Sequence, residues 1–173
     1  VELGEERTEV IVLPSDVDPT QGELRVQLDP SLAAGMIASL EWLQTFPYDC
    51  NEQIISKFLA NLVTYEALQG LGVEDPAMKA QLQDEIATAV QKLQRRQNAD
   101  GGWGWWGNEK SSPFTSTYVA YGLLRAQSAG FGVDQTTIDR SLDYLSRQLV
   151  TVQSAQGWQL NQQAFILYVL ALA

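Results

Sequence analysis

The chain of 173 residues contains no histidine and a single cysteine, Cys50. Without histidine, no Ser/His/Asp catalytic arrangement can be built, and a lone thiol argues against a protein-built zinc or transition-metal site. One thiol also cannot close a disulfide within the chain. We therefore expect no metal and no cofactor. Cys50 itself is either an inert buried side chain or a reactive group.

Basic residues are also few. The chain has 11 lysines and arginines against 21 aspartates and glutamates, a formal net charge of −10. Such a charge argues against nucleic acid or an anionic membrane as a partner. No apolar run is long enough to span a bilayer, so we expect no direct membrane insertion by this chain. The 45% hydrophobic content is sufficient for a packed core.

The surroundings of Cys50 suit a reactive thiol. Pro47 disfavours helix before it, and Asn51 opens an apolar-periodic stretch, so Cys50 is expected at a helix N-terminus, where a thiolate is stabilised. Gln53 follows three residues later, close enough on a helix for the two side chains to meet. The thiolate could then attack the Gln53 carboxamide and expel ammonia. The product would be an internal thioester, an acyl donor stored for later use.

Residues 46–53 read FPYDCNEQ and resemble the thioester motif of the alpha-macroglobulin and complement family. The resemblance is strongest to bacterial members, in which Tyr-Pro-Tyr-Gly-Cys-x-Glu-Gln is usual, although Asp49 stands where they place glycine. It implies that Cys50 supplies the sulfur and Gln53 the acyl group. We assign Glu52 to positioning the bond through a hydrogen bond near the helix start. Tyr48 either helps to position the bond by covering it from water or only packs beside Pro47. The resemblance also implies an extracytoplasmic protease inhibitor, in the periplasm, at the cell surface or secreted. Such a protein is a single-use trap rather than an enzyme, and its partners are target proteases.

The resemblance bears on the nucleophile as well. Family members that prefer hydroxyl targets use a histidine from a later loop, which would fall at residues 107–113 of this chain. That segment reads GNEKSSP and offers no such group. We therefore predict direct attack on the Gln53 acyl group by amines, chiefly surface lysines of the protease.

Residues 1–29 differ in character from the rest. Residues 8–13 and 23–28 are rich in β-branched residues and are separated by turn residues, which predicts two short strands. Two strands cannot bury much surface alone. We expect this β segment to be a linker or part of a neighbouring β-domain. The chain starts at Val1 and ends inside an apolar run, so we expect a longer protein.

From residue 30 to residue 173 the pattern is helical, and the fold class is mainly α. About six helical segments are predicted from apolar spacing and from start and stop residues. They cover residues 31–43, 51–70, 75–93, 116–129, 134–149 and 161–173.

An internal repeat joins these helices into hairpins. A glutamine-rich helix end is followed by Gly-x-Trp or Gly-Trp and then by an apolar helix, once at Trp103 and again at Trp158. We predict that both tryptophans wedge between successive hairpins, whereas some of the cluster Trp103, Trp105 and Trp106 must lie at a surface. Such turns resemble those of α/α-toroid proteins, which include triterpene cyclases and thioester domains. We expect a partial toroid, truncated at the C-terminus.

Two alternatives stay open. One is a fragment of an α/α-toroid enzyme, either triterpene-cyclase-like or carbohydrate-active, which the Gly-Trp turns and the acidic, aromatic-rich composition would suit. The other is a scaffold in which Cys50 never cyclises.

Overall fold

A computed structural model describes residues 49–72, 75–150 and 157–173, together with the isolated residues Thr8, Val10 and Val12. This part of the chain contains five α-helices and no strand. The helices are α1 (Asn51–Gly70), α2 (Pro76–Arg95), α3 (Pro113–Ser128), α4 (Gln135–Arg147) and α5 (Gly157–Leu172).

Three of the helices begin at residues that are suited to the task. Asp75, Ser112 and Asp134 are the N-caps of α2, α3 and α4, and each side chain accepts a hydrogen bond from a backbone N–H of the first turn. Proline follows as the first helical residue in α2 and α3, where its missing N–H costs nothing. Local sequence therefore fixes these three starts.

Helix α3 is the centre of the packing, since it contacts each of the other four helices. Helices α1 and α2 make the most extensive contact with each other, and α4 and α5 also pack together. The core between them consists of side chains with at most 1% exposure: Ile55, Phe58, Leu62, Ile86, Val90, Leu93, Trp103, Val119, Ala120, Leu123, Ala126, Ile138, Leu145, Ile166 and Val169.

The connection between α2 and α3 is held by Trp103. Its ring is fully buried, its Nε1 donates to the carbonyl oxygen of Leu93 at 2.7 Å, and its backbone N donates to Ser116 Oγ at 2.8 Å. These bonds join the end of α2 to the start of α3. Gly101 precedes it with φ +92°, and a Cβ there would lie 2.2 Å from the carbonyl oxygen of Arg140. Only glycine fits that turn.

The repeat prediction is confirmed for Trp103 and wrong for Trp158. Trp158 is the second residue of α5 and is 64% exposed, so it clamps nothing within the described part of the chain. Trp105 and Trp106 are about half exposed, as expected for part of the tryptophan cluster.

Two helix starts also differ from the predictions. Helix α3 begins at Pro113 rather than at residue 116, because Ser112 caps it, and α5 begins at Gly157 rather than at residue 161. The predicted helix 31–43 and strand 23–28 lie outside the described residues. Of strand 8–13, only Thr8, Val10 and Val12 are described, and they are exposed and not in a strand. The mainly α class is confirmed, and the toroid stays a prediction.

Candidate functional site

Cys50 lies at the N-cap of α1, as the motif predicts. Its backbone is extended, with φ −73° and ψ 158°, and its carbonyl accepts the first helical hydrogen bond, from Ile54 N at 3.0 Å. The side chain is buried with 8% exposure and makes no capping hydrogen bond. The thiol is therefore placed at the positive end of the helix without being used to stabilise it.

Gln53 is the third residue of α1. It is three residues from the N-cap, and residues at this spacing are neighbours on a helical turn. The Oε1 of Gln53 is buried, and no donor in the described part of the chain reaches it. A buried acceptor without a donor costs about 1–3 kcal/mol, so the carboxamide is held in an unfavourable environment.

Asn51 joins the start of α1 to the loop between α2 and α3. It is fully buried, its backbone N donates to the carbonyl oxygen of Trp105 at 2.8 Å, and its Nδ2 donates to the carbonyl oxygen of Gly104 at 3.0 Å. Two hydrogen bonds from one residue thus hold the loop that includes residues 107–113 beside the thiol-bearing end of α1.

Asp49 is paired with two cations at the end of α2. Lys92 Nζ donates to Asp49 Oδ1, and Arg96 Nη2 donates to Asp49 Oδ2 at 2.7 Å. Partial burial raises the pKa of Asp49, but the hydrogen bonds and positive charges of Lys92 and Arg96 outweigh it and lower the pKa below its ordinary value. The negative charge of the carboxylate beside Cys50 is therefore balanced by the two cations.

Glu52 faces along α1. Ser56 Oγ donates to Glu52 Oε1 at 2.9 Å, and Ser56 Oγ is also 3.4 Å from the Tyr118 hydroxyl. Tyr118 continues into a row of rings with Phe114 and Trp105, whose centroids are about 6 Å apart. The glutamate has the kind of hydrogen bond near the helix start that we expected, while its positioning role stays a prediction.

The sequence predictions for the site divide into two groups. Cys50, Glu52 and Gln53 lie together in the first turn of α1. Tyr48 lies outside the described residues, and its role stays a prediction. Sequence reasoning missed Asn51, although it lies inside the motif, and Arg96, which no local signal connects to it.

No group of three or more histidine, cysteine, aspartate or glutamate side chains is arranged to hold a metal ion within residues 49–72, 75–150 and 157–173. None of the described helices combines the length and the apolar character needed to cross a membrane.

The fold and the cysteine-glutamine pair together define the class of protein. The family model of the A-macroglobulin TED domain matches residues 26–167. That match covers most of the chain, so the chain belongs to the alpha-macroglobulin family. The alternative of a cyclase-like or carbohydrate-active enzyme is not supported.

Among individual relatives, the chain is 33% identical over 123 residues to the alpha-2-macroglobulin of Thermotoga maritima, which covers 71% of this chain and 8% of that protein. It is 25% identical over 124 residues to thioester-containing protein 1, allele S3, of Anopheles gambiae, covering 72% of this chain and 9% of that protein. The native cryo-EM structure of Escherichia coli alpha-2-macroglobulin matches with TM-score 0.63 and 25% identity, over 79% of this chain and 9% of that one. The chain thus spans less than a tenth of the length of these relatives.

Proposed function

We propose that Cys50 and Gln53 form an internal thioester, and that the protein uses it once to bond covalently to a protease. The observation that carries the proposal is their placement at the N-cap and the third residue of α1, with the thiol and the glutamine Oε1 both buried. Residues three positions apart are neighbours on a helical turn, so these two side chains can meet. Within the described residues, neither the thiol nor Gln53 Oε1 makes a hydrogen bond that would have to be broken first.

The chemistry balances without a cofactor. Cys50 Sγ attacks Cδ of Gln53, the sulfur–carbon bond forms and the carbon–nitrogen bond breaks. The amide nitrogen leaves as ammonia and takes the thiol proton with it. An outside amine later attacks the same carbon, forms an amide and releases the thiol, whose sulfur receives a proton from the amine. Because no step restores the glutamine, each molecule reacts once.

The environment of Gln53 Oε1 favours the closed form. A carboxamide oxygen is a strong acceptor, and burying it without a donor costs more than burying a weak acceptor in the same place. A thioester carbonyl is the weaker acceptor of the two. Losing ammonia therefore relieves part of the cost that the free side chain of Gln53 bears. The same burial limits the access of water to the acyl carbon.

Amines are the nucleophiles that this site suits. The loop from Trp103 to Ser112 is held beside the start of α1 through Asn51, and the chain contains no histidine. No imidazole can therefore accept the acyl group and pass it to a hydroxyl. A lysine amine is a stronger nucleophile than a hydroxyl and can attack directly. Surface lysines of the protease are the proposed targets, with water as the competitor.

The remaining features of the proposal concern the longer protein. The relatives include alpha-2-macroglobulins and a thioester-containing protein, and they are more than ten times longer than the matched region. We assign residues 30–173 to a thioester domain built as a partial α/α toroid, and residues 1–29 to a β segment or a neighbouring β-domain. The setting is extracytoplasmic, where such an inhibitor meets foreign proteases.

Covalent capture can be tested with a protease and with the same protease after reductive dimethylation of its lysines. The methylated lysines keep their charge but no longer present a primary amine. We expect the intact protein to form a conjugate with the untreated protease that survives denaturation and reduction, and to form almost none with the methylated one. The Cys50→Ala variant should form none with either. Equal conjugation by C50A, or by the methylated protease, would contradict the proposal.

A further inference from the structure

Arg96 contacts the residues on both sides of Cys50. Its Nη1 donates to the carbonyl oxygen of Asp49 at 2.7 Å and to Asn51 Oδ1 at 3.3 Å, and its Nη2 donates to Asp49 Oδ2 at 2.7 Å. The three bonds link the C-cap of α2 to the two residues that flank the N-cap of α1. One guanidinium group therefore binds the residues before and after the cysteine without hydrogen-bonding to the cysteine itself.

Lys92, one helical turn before Arg96, adds a second ion pair to Asp49. It binds the second carboxylate oxygen of Asp49, so that Lys92 and Arg96, four residues apart, share one anion. The pairs are partly exposed: the side chain of Asp49 is 52% exposed and that of Arg96 is 24% exposed. Such pairs add little to overall stability. Their effect is instead to hold Asp49 in one position against the end of α2.

Contacts from other residues must orient Cys50, because its side chain does not cap its own helix. Helix α2 is capped by an aspartate side chain, whereas the N-cap of α1 makes no side-chain hydrogen bond. The direction of the backbone at Cys50 must then be set by its neighbours. Asp49 and Asn51 are those neighbours, and Arg96 binds both.

We propose that Arg96 is a positioning residue for the acyl chemistry, and that with Asp49 and Asn51 it fixes the backbone at Cys50 so that the sulfur faces Gln53. The inference rests on the proposed thioester. Asp49, at the position where the motif otherwise has glycine, gives this chain an ionic anchor for the turn. Arginine is required because its planar fork reaches an oxygen of Asp49 and one of Asn51 at once, which the single ammonium of lysine cannot do in fixed geometry.

The consequence of losing Arg96 follows from these contacts. Asn51 is fully buried, so its Oδ1 would lose a donor that water cannot easily replace. The carbonyl oxygen and one carboxylate oxygen of Asp49 would lose theirs as well. A misplacement of reacting atoms by about 1 Å can cost about 100-fold in rate. We expect the share of molecules with a closed thioester to fall by about tenfold.

The experiment compares the intact protein with Arg96→Gln, Arg96→Lys and Arg95→Gln. Arg95→Gln is the matched control, because it removes the same charge from the adjacent residue. Within the described residues, the guanidinium of Arg95 hydrogen-bonds to Gln91 at 3.1 Å and to neither Asp49 nor Asn51. Intact mass and thiol titration give the thioester fraction, and circular dichroism with thermal melting checks the fold. R96Q should lose the thioester, R96K should recover at most a small part, and R95Q should match the unaltered protein.

The outcomes separate this inference from the proposed function. Equal thioester fractions in R96Q, R96K and the unaltered protein would overturn the role of Arg96 and leave the thioester standing. Full recovery in R96K would also overturn it, since charge alone would then suffice. If the unaltered protein contains only free thiol, the proposed function fails. The rate of Cys50 alkylation by iodoacetamide then decides for Arg96: a change of several-fold in R96Q but not in R95Q supports positioning, and identical rates refute it.

Discussion

At the scale of the residue, Trp103 and Trp158 occupy corresponding places in the internal repeat but have opposite environments. Trp103 is fully buried and donates its Nε1 hydrogen to the carbonyl oxygen of Leu93, whereas Trp158 is 64% exposed. Replacing a buried indole by a smaller ring removes contacts and the Nε1 hydrogen bond to the Leu93 carbonyl, which keeps the Arg96 backbone N as a donor at 3.1 Å. We therefore expect Trp103 to contribute far more than Trp158 to the free energy of unfolding.

Substitution by phenylalanine tests this difference. Trp103→Phe should lower the free energy of unfolding by about 2–3 kcal/mol, from the lost volume and the lost hydrogen bond of the buried indole. Trp158→Phe is the matched control and should change it by less than about 0.5 kcal/mol. Urea unfolding followed by far-UV circular dichroism measures both. A similar loss in the two variants would show that the exposure of Trp158 has been misassigned.

The motif allowed part of the site to be predicted, and contacts between distant residues account for the rest. Cys50 and Gln53 could be identified because their spacing places them in one helical turn, and a helix start is a local property. Arg96 could not be, because its contacts to Asp49 and Asn51 span more than 40 residues of sequence and depend on how α2 packs against α1. The ion pairs of Asp49 with Lys92 and Arg96 were not predicted for the same reason.

At the scale of the element, the crossing of α1 and α3 depends on Gly122. A Cβ at this position would lie 2.2 Å from Ile55 Cδ1 and 2.9 Å from Phe58 Cε1, both of which belong to α1. Ile55 follows Gln53 by about half a turn, so this contact sets how α1 lies against the centre of the core. The absence of a side chain brings the two backbones close together.

Gly122→Ala should destabilise the protein by about 1–3 kcal/mol through overpacking, which exceeds the helix propensity that alanine gains. Gly70→Ala is the control, since no atom lies within 4 Å of a Cβ there and the expected change is neutral or slightly stabilising. Adding Ile55→Val to G122A removes the clashing methyl group and should restore part of the loss. Chemical denaturation of G122A, I55V, the double variant and G70A gives the free energy of unfolding of each, and from these the coupling energy between Ile55 and Gly122. If the effects of I55V and G122A simply add, this contact does not limit the packing.

Helix existence was predictable here, while helix starts depended on the cap. Asp75 and Asp134 were predicted at the starts of α2 and α4, and both side chains do cap. Ser112 followed by proline is an equally good start signal, but the prediction placed that segment in a loop and lost the first turn of α3.

At the scale of the whole molecule, the helices bring the turn at Cys50 against two parts of the chain that lie more than 40 residues later in the sequence. The end of α2 holds Asp49 through Lys92 and Arg96, and the loop before α3 holds Asn51 through backbone carbonyls. The mainly α class could be predicted from periodicity, whereas this convergence could not, because it arises from the order in which the helices pack. The central claim is that this arrangement closes a bond between Cys50 and Gln53.

The most direct test of that claim is the mass of the intact protein, measured under denaturing conditions before and after treatment with methylamine. Loss of ammonia makes the untreated protein about 17 Da lighter than its sequence and hides the Cys50 thiol, as a covalent acyl intermediate requires. Methylamine should then add about 31 Da and release one titratable thiol, while Cys50→Ala should show neither change. An untreated mass equal to that of the sequence, with a free thiol and no response to the amine, would contradict the account.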